Sequence, residues 1–235
     1  MNDFSDATEI TIAAYQRIAS NYGLSKEGAR QQQESLTDFW REQLQRFIAV
    51  IHANSTYQKR PDLPVADVGC GPGREALYLA RHGFFVLAID LSDAMLAQAR
   101  ERTQGQPGAE HITFLQMDMR TLQLLDASCA GLLASASFLH IPKHENLAVL
   151  REFRRVLIPD APVQLMVKEH DGGADERYDL HEETGTRRFY ARYQGGELWN
   201  LLEEAEFQVL EITTTIDTRF LNQPRWLAAL AISRR

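Results

Sequence analysis

The residues best suited to chemistry in this chain are the glycines of Asp67-Val68-Gly69-Cys70-Gly71-Pro72-Gly73 and the carboxylate of Asp90 further on. Glycines at every second position let a backbone turn sharply and approach a ligand where a Cβ would collide. The apolar run from Leu63 to Val68 reads as a buried strand, and Glu75 to His82 carries apolar residues at helical spacing. Phe84-Phe85-Val86-Leu87-Ala88-Ile89-Asp90 reads as a second strand that closes on an acid. A carboxylate at that point has the lone pairs to accept both hydroxyls of a ribose. Strand, glycine turn, helix, strand and acid, in that order, predict a site for a nucleoside-containing ligand. A dinucleotide fingerprint would place its third glycine at the sixth position, where this chain has Arg74; here it comes one place early, at Gly73.

Positioning these residues requires an α/β frame. From Pro64 onward strand-like and helix-like segments alternate, which predicts a doubly wound, Rossmann-like sheet of seven strands, mostly parallel and covered on both faces. The strands are read at 64–69, 84–89, 112–116, 130–136, 162–168, 207–215 and 226–233, and the helices near 74–82, 93–104, 143–157 and 195–205. The short Asn222-Gln223-Pro224 connection predicts an antiparallel last pair. Ahead of the sheet, 7–21 and 31–52 carry two amphipathic helical patterns, so 1–60 reads as an N-terminal helical lid or extension and 61–235 as the ligand-binding domain. The stretch 169–194 is charged, aromatic and aperiodic, and begins at the carboxyl end of the fifth strand. It is expected to form part of the substrate wall, in which Thr186 to Tyr193 makes either a short strand or a flap.

Composition narrows the function classes. The chain has 235 residues, enough for one α/β domain with a modest extension, and a net charge of −7, which argues against a protein that grips phosphate backbones. No apolar run is long enough to span a bilayer and no signal peptide is evident. The two cysteines, Cys70 and Cys129, are not spaced as a disulfide framework and are expected to stay reduced, which predicts a cytoplasmic location.

Over roughly Leu63 to Phe207 the chain resembles the class I S-adenosylmethionine-dependent methyltransferases, whose first strand ends in an acid followed by G-x-G-x-G. The likeness rests on the glycine turn, on Ile89-Asp90-Leu91-Ser92 with Ala94-Met95-Leu96, on Gln116-Met117-Asp118-Met119, and on Ser135-Ala136-Ser137-Phe138-Leu139-His140. It implies S-adenosyl-L-methionine as cofactor, a reversed seventh strand and a small-molecule methyl acceptor. Residue by residue it implies that Asp67 holds the methionine amino group, that Gly69, Cys70, Gly71 and Gly73 line the turn, and that Asp90 takes the ribose with Leu91 against the adenine. Asp118 would accept from the adenine amino group with Met119 beside it, and Ser135 would flank the methionine portion. Two departures stand out: the fifth strand is preceded by Leu157-Ile158-Pro159-Asp160-Ala161-Pro162 without glycine, and the fourth opens with Cys129-Ala130-Gly131 without an acid.

His140 follows the fourth strand on the edge expected to face the methyl group. A neutral imidazole there either takes a proton from an acceptor hydroxyl or amine, or bonds backbone and shapes the loop. Tyr15 and Tyr22 fall on one helical face, where they either cover the cofactor or pack into the core. Pro142 between His140 and His144 breaks a metal-ligand spacing, and no acid follows the fourth strand to hold a hard cation, so no metal is expected. The segment also lacks the signatures of nucleic-acid methylating enzymes. The reading is methyl transfer to oxygen or nitrogen of a small molecule by a monomer or homodimer. A nicotinamide-dependent oxidoreductase and a non-catalytic binder of the same nucleoside remain as alternatives.

Overall fold

A computed structural model describes residues 6–21, 37–181, 184–217 and 223–234. Its seven-stranded sheet runs β3-β2-β1-β4-β5-β9-β8. The strands are β1 Val65–Val68, β2 Val86–Asp90, β3 Ile112–Gln116, β4 Gly131–Ser135, β5 Pro162–Lys168, β8 Phe207–Ile216 and β9 Arg225–Ser233. β9 lies antiparallel to both β5 and β8, and the remaining pairs are parallel, as the short final connection predicted. The strand order reverses at β1, between β2 and β4, and ligands in such sheets bind at the carboxyl edge of that switch point.

The central strands form because they are apolar on both faces: all of Val65–Val68 is buried, and so are Gly131 to Ala134. The helices cover the sheet with apolar stripes and end on local signals. They are α1 Ala7–Ile18, α2 Asp38–Ala53, α3 Ser55–Lys59, α4 Arg74–Arg81, α5 Asp93–Thr103, α6 Asn146–Val156 and α7 Gly195–Glu204. Thr37 caps α2 by accepting from Trp40 N, Ser92 caps α5 by accepting from Met95 N, and Gln194 with Glu197 makes a capping box on α7. The fourth sheet-covering helix starts at Asn146, because Lys143 to Glu145 forms a tighter single turn after Pro142. α2 joins the main core through Trp40, Leu44, Phe47 and Ile51, and a Cβ on Gly131 would come within 2.8 Å of the Phe47 ring. Burying side chains of this size contributes about 1.5–3 kcal/mol each, so α2 is part of the sheet's cover.

The aperiodic stretch folds as an antiparallel hairpin of its own, β6 Glu176–His181 with β7 Thr186–Ala191. Of the two forms the sequence allows for Thr186 to Tyr193, the strand is the one found as β7; β6 is unexpected, because Glu176-Arg177-Tyr178-Asp179-Leu180-His181 has no buried apolar face. α1 seats on the hairpin, where buried Thr11 Oγ1 accepts from Phe189 N at 3.0 Å. Among the described residues no helix is long and apolar enough to cross a membrane.

Candidate functional site

The turn after β1 is built on glycines in left-handed conformations, and the structure separates their roles. Gly69 (φ +72°) is packed from within: a Cβ there would sit 2.2 Å from the Ser137 Cβ. Gly71 (φ +50°) has no protein atom within 4 Å of a Cβ position, so it is the glycine whose missing side chain leaves room for a ligand. The sequence reading gave that role to all three glycines, whereas the third, Gly73, abuts Ala99 of α5. Gly71 N donates to Asp90 Oδ2 at 2.9 Å and Ser92 N to Asp90 Oδ1 at 2.8 Å, which ties the turn to the end of β2.

Three carboxylates gather beneath this turn. Asp67 is 1% exposed, and its Oδ2 is buried without a hydrogen-bond partner. Burial first, and then the neighbouring Glu75 and Asp90 carboxylates, push the Asp67 acid well above its ordinary range. Burial also raises Asp90, against the pull of the donating amides. The Cys70 thiol is driven up by burial and by the same acids, so it stays protonated and offers the site its backbone alone. Arg74, first residue of α4, pairs with Glu75. A carboxylate with one oxygen buried and unpartnered, the group otherwise held by Ala76 N, beside two further acids, is an acceptor set suited to a cationic, hydroxyl-bearing ligand.

Ser135, at the end of β4, is engaged by protein groups. Trp40 Nε1 donates to its Oγ at 3.3 Å, and that hydroxyl lies 3.4 Å from Glu75 Oε1. On the β3 side, both Asp118 oxygens accept from Arg120, Nη2 to Oδ2 at 2.6 Å and Nε to Oδ1 at 3.1 Å, so this carboxylate is lowered and also starts a turn to Thr121. Leu91 and Met119 are half-buried, at the ends of the loops that follow β2 and β3.

The opposite end of the carboxyl edge carries His140. Its Nδ1 lies 2.6 Å from the Phe189 carbonyl oxygen, which can only accept, so the proton sits on Nδ1 and Nε2 is the open base. Tyr15 Oη is 2.8 Å from that Nε2 and donates to it. Burial, and then the Arg188 and Lys168 charges, lower His140 to about 3, against the Phe189 carbonyl, which favours the protonated form. Tyr15 therefore meets His140, an outcome neither sequence alternative for the tyrosine contained. Tyr22 lies outside the described residues. Sequence reasoning also missed Glu75, Trp40, Phe189 and Lys168. An acid in a first helical turn or a Trp on an amphipathic helix is ordinary by type, and no sequence signal marks a backbone carbonyl.

With this geometry in place, comparison with known proteins identifies the class. Residues 65–160 match the methyltransferase domain family. O-methyltransferase rstn1 of Aspergillus nomiae is 27% identical over 165 residues, 67% of this chain and 70% of that protein. The S-adenosyl-L-methionine-dependent Diels-Alderase iccD of Talaromyces variabilis is 33% identical over 113 residues, 47% of this chain and 38% of that one, and several other curated relatives are likewise matched over well under half their length. In fold, the chain is similar to the Burkholderia thailandensis 1,6-didemethyltoxoflavin-N1-methyltransferase solved with S-adenosylhomocysteine, at a TM-score of 0.61 and 22% identity, covering 93% of this chain and 88% of that one. Residues 65–160 are therefore a methyltransferase domain, carried in a seven-stranded fold shared with S-adenosylmethionine-dependent methyltransferases. S-adenosylmethionine is the cofactor that a domain of this class implies. The nicotinamide alternative is thereby set aside.

The residues present fit that cofactor. The ligand's ammonium would answer the Asp67 and Glu75 carboxylates and its ribose hydroxyls Asp90, and the open space at Gly71 would leave room for it where Gly69 and Gly73 are packed from within.

Proposed function

We propose that the protein transfers a methyl group to an oxygen or nitrogen of a small-molecule acceptor, with Tyr15 and His140 receiving the proton the acceptor loses. The observation that carries this reading is the directed chain from Tyr15 Oη to His140 Nε2 and from Nδ1 to the Phe189 carbonyl. Asp90 would hold the ribose hydroxyls, Asp67 the methionine amino group, and Leu91, Asp118 and Met119 the adenine, with Ser135 beside the methionine portion. When bound, the cofactor supplies an electrophilic sulfonium methyl that leaves by in-line displacement. The acceptor proton passes to Tyr15 Oη while the Tyr15 proton passes to His140 Nε2, leaving a neutral methylated product and an imidazolium. Holding the acceptor in line supplies the larger part of the acceleration, up to about 7–11 kcal/mol in favourable intramolecular cases, and proton removal adds about 10²–10⁴-fold. The buried, reduced cysteines and the net charge of −7 favour a cytoplasmic enzyme acting on free metabolites, as monomer or homodimer, rather than on nucleic acid.

The test is to incubate the protein with S-adenosylmethionine and a panel of hydroxylated and amino metabolites, and to follow S-adenosylhomocysteine together with the mass of the product. Stoichiometric release of S-adenosylhomocysteine with a product one methylene heavier is the expected result. A protein that binds the cofactor and converts an acceptor without releasing S-adenosylhomocysteine would overturn the reading; the Talaromyces relative is named as an S-adenosyl-L-methionine-dependent Diels-Alderase.

A further inference from the structure

The Tyr15–His140 pair stands at one end of a set of aromatic rings whose other end holds an indole with an unused hydrogen-bond donor. Trp40, in the first turn of α2, gives its Nε1 to Ser135 Oγ at 3.3 Å, and that hydroxyl lies 3.5 Å from Met166 Sδ. Trp226, near the start of β9, meets Trp40 with ring centres 5.4 Å apart and planes at 84°, so the two indoles form a corner rather than a stack. Trp40 is 5% exposed, whereas Trp226 is only half-buried and can be reached by an entering molecule. The Trp226 Nε1 is nonetheless buried, with no acceptor among the described residues.

Lys168 joins this corner to the acceptor end. It pairs with Trp226 across β5 and β9, which puts the two side chains on one face of the sheet, and its Nζ lies 3.6 Å from the Tyr190 ring centre. The Tyr190 ring centre is in turn 4.9 Å from that of His140. Indoles, phenol and imidazole therefore line the ends of β4, β5 and β9, in the manner of pockets that hold a flat molecule by area and orient it with a few polar groups. A buried donor left unpaired costs its full desolvation, and a ligand atom that accepts from it recovers that cost. The Gln164 amide is also unpartnered, but it lies deeper along β5, beneath Met166, and is 0% exposed, so no entering molecule meets it. The base points the same way. Burial first, and then neighbouring charge, holds His140 at about 3, so it is weak and is best matched to an acidic hydroxyl. A phenol, at about 10 like tyrosine, is far nearer that range than an aliphatic alcohol, which lies close to water's ~15.7.

We propose that the acceptor is a flat aromatic molecule methylated on a phenolic hydroxyl, with its ring in the Trp40–Trp226 corner and a carbonyl oxygen accepting from Trp226 Nε1. The inference rests on the reading that Tyr15 and His140 mark the acceptor site, and it names the substrate class for it. In the transfer the phenolic oxygen gains its bond to the methyl carbon as the S–CH3 bond of S-adenosylmethionine breaks. The phenolic proton passes through Tyr15 to His140, and an aryl methyl ether and S-adenosylhomocysteine leave.

The experiment is calorimetric titration of the protein loaded with S-adenosylhomocysteine, using 4-hydroxyacetophenone, 4-ethylphenol and 4-ethylcyclohexanol as probes. The first differs from the second by a carbonyl, and the second from the third by its aromatic ring. The ketone is expected to bind about fivefold more tightly than 4-ethylphenol, and 4-ethylphenol about fivefold more tightly than the saturated alcohol. Trp226→Phe keeps a ring and removes the donor, so it should abolish the first preference and keep the second; Trp226→Leu should abolish both. Unchanged S-adenosylhomocysteine affinity in the two variants is the check on folding. Probes that do not bind, no aromatic preference in the wild type, or a ketone preference that survives Trp226→Phe would each overturn the proposal. Methyl transfer is read separately, with S-adenosylmethionine in place of the product. Both preferences without turnover would overturn the transfer reading and leave the aromatic site standing, whereas methylation confined to the saturated alcohol would do the reverse.

Discussion

Tyr15 Oη and His140 Nε2 stand 2.8 Å apart across 125 residues of sequence, with their rings edge to face at an interplanar angle of 72°. The contact joins α1 to the loop after β4. If Tyr15 relays the acceptor proton, Tyr15→Phe and His140→Asn should each lower kcat by about 10²-fold or more. The double variant should be little worse than either single one, because the two act as a unit. Comparing kcat across the three variants at fixed saturating cofactor checks this; a mild Tyr15→Phe beside a severe His140→Asn would mean that the imidazole works alone.

The depressed His140 also makes stability depend on pH. Its value of about 3 in the folded chain lies below the ordinary 6.5, so above pH 6.5 both states are neutral and there is no penalty. As pH falls below 6.5 the unfolded chain takes up a proton that the folded chain refuses, and stability drops by up to a few kcal/mol, about 1.4 for each unit. Urea unfolding of the wild type between pH 7 and pH 4.5 should show this slope. His140→Asn, whose amide can still donate to Phe189, should flatten it; an unchanged slope would place the pH dependence on other groups.

Gly69 and Gly71 should fail in different ways when changed to alanine. In Gly69→Ala the new methyl overlaps Ser137, and φ is strained, so a loss of about 3 kcal/mol or more is expected on denaturant unfolding. Gly71→Ala has only the φ strain, about 1 kcal/mol, but places a Cβ in the ligand's space. It should stay folded and lose at least tenfold in S-adenosylhomocysteine affinity, measured by calorimetry; unaltered affinity would move the ligand away from this turn.

Thr11→Val keeps the shape of the side chain and removes the acceptor for the buried Phe189 amide. Leaving that amide unpaired should cost about 1–3 kcal/mol, and hydrogen exchange should accelerate over 186–191 while the central strands stay protected. Unchanged exchange at the hairpin would show that α1 is not what fastens it.

How much of this was legible depended on whether a residue acts through local pattern or through a distant partner. The parallel strands could be read because both faces are buried: Val65 to Val68 is apolar but for Asp67, and Leu132 to Ala134 is apolar throughout. β6 could not, because Arg177 and Asp179 are held by ion pairs to Asp171 and Arg192 rather than by an apolar stripe. The acid at Asp90 and the glycine turn were visible as a motif, yet the division between Gly71, open to a ligand, and Gly69, closed by Ser137, depends on a residue in another loop. Asp118 was recognisable as a site carboxylate, while its capture by Arg120 two residues later could only be seen once the turn was formed. Chemistry fixed by spacing along one element was readable; chemistry made by two elements meeting was not.

α1 touches both ends of the carboxyl edge. Its last turn packs through Ile18 and Tyr15 against Ala94 and Met95, just beyond the Asp90 loop, and its middle holds Phe189 and His140. If the sites lie as proposed, this helix of 12 residues covers the nucleoside end and completes the acceptor end. On that reading, exchange of the nucleoside requires the helix to lift, and lifting it dissolves the acceptor's half of the site. The kinetics should therefore be compulsory-order, with S-adenosylmethionine first on and S-adenosylhomocysteine last off, and product inhibition by S-adenosylhomocysteine competitive against the cofactor alone.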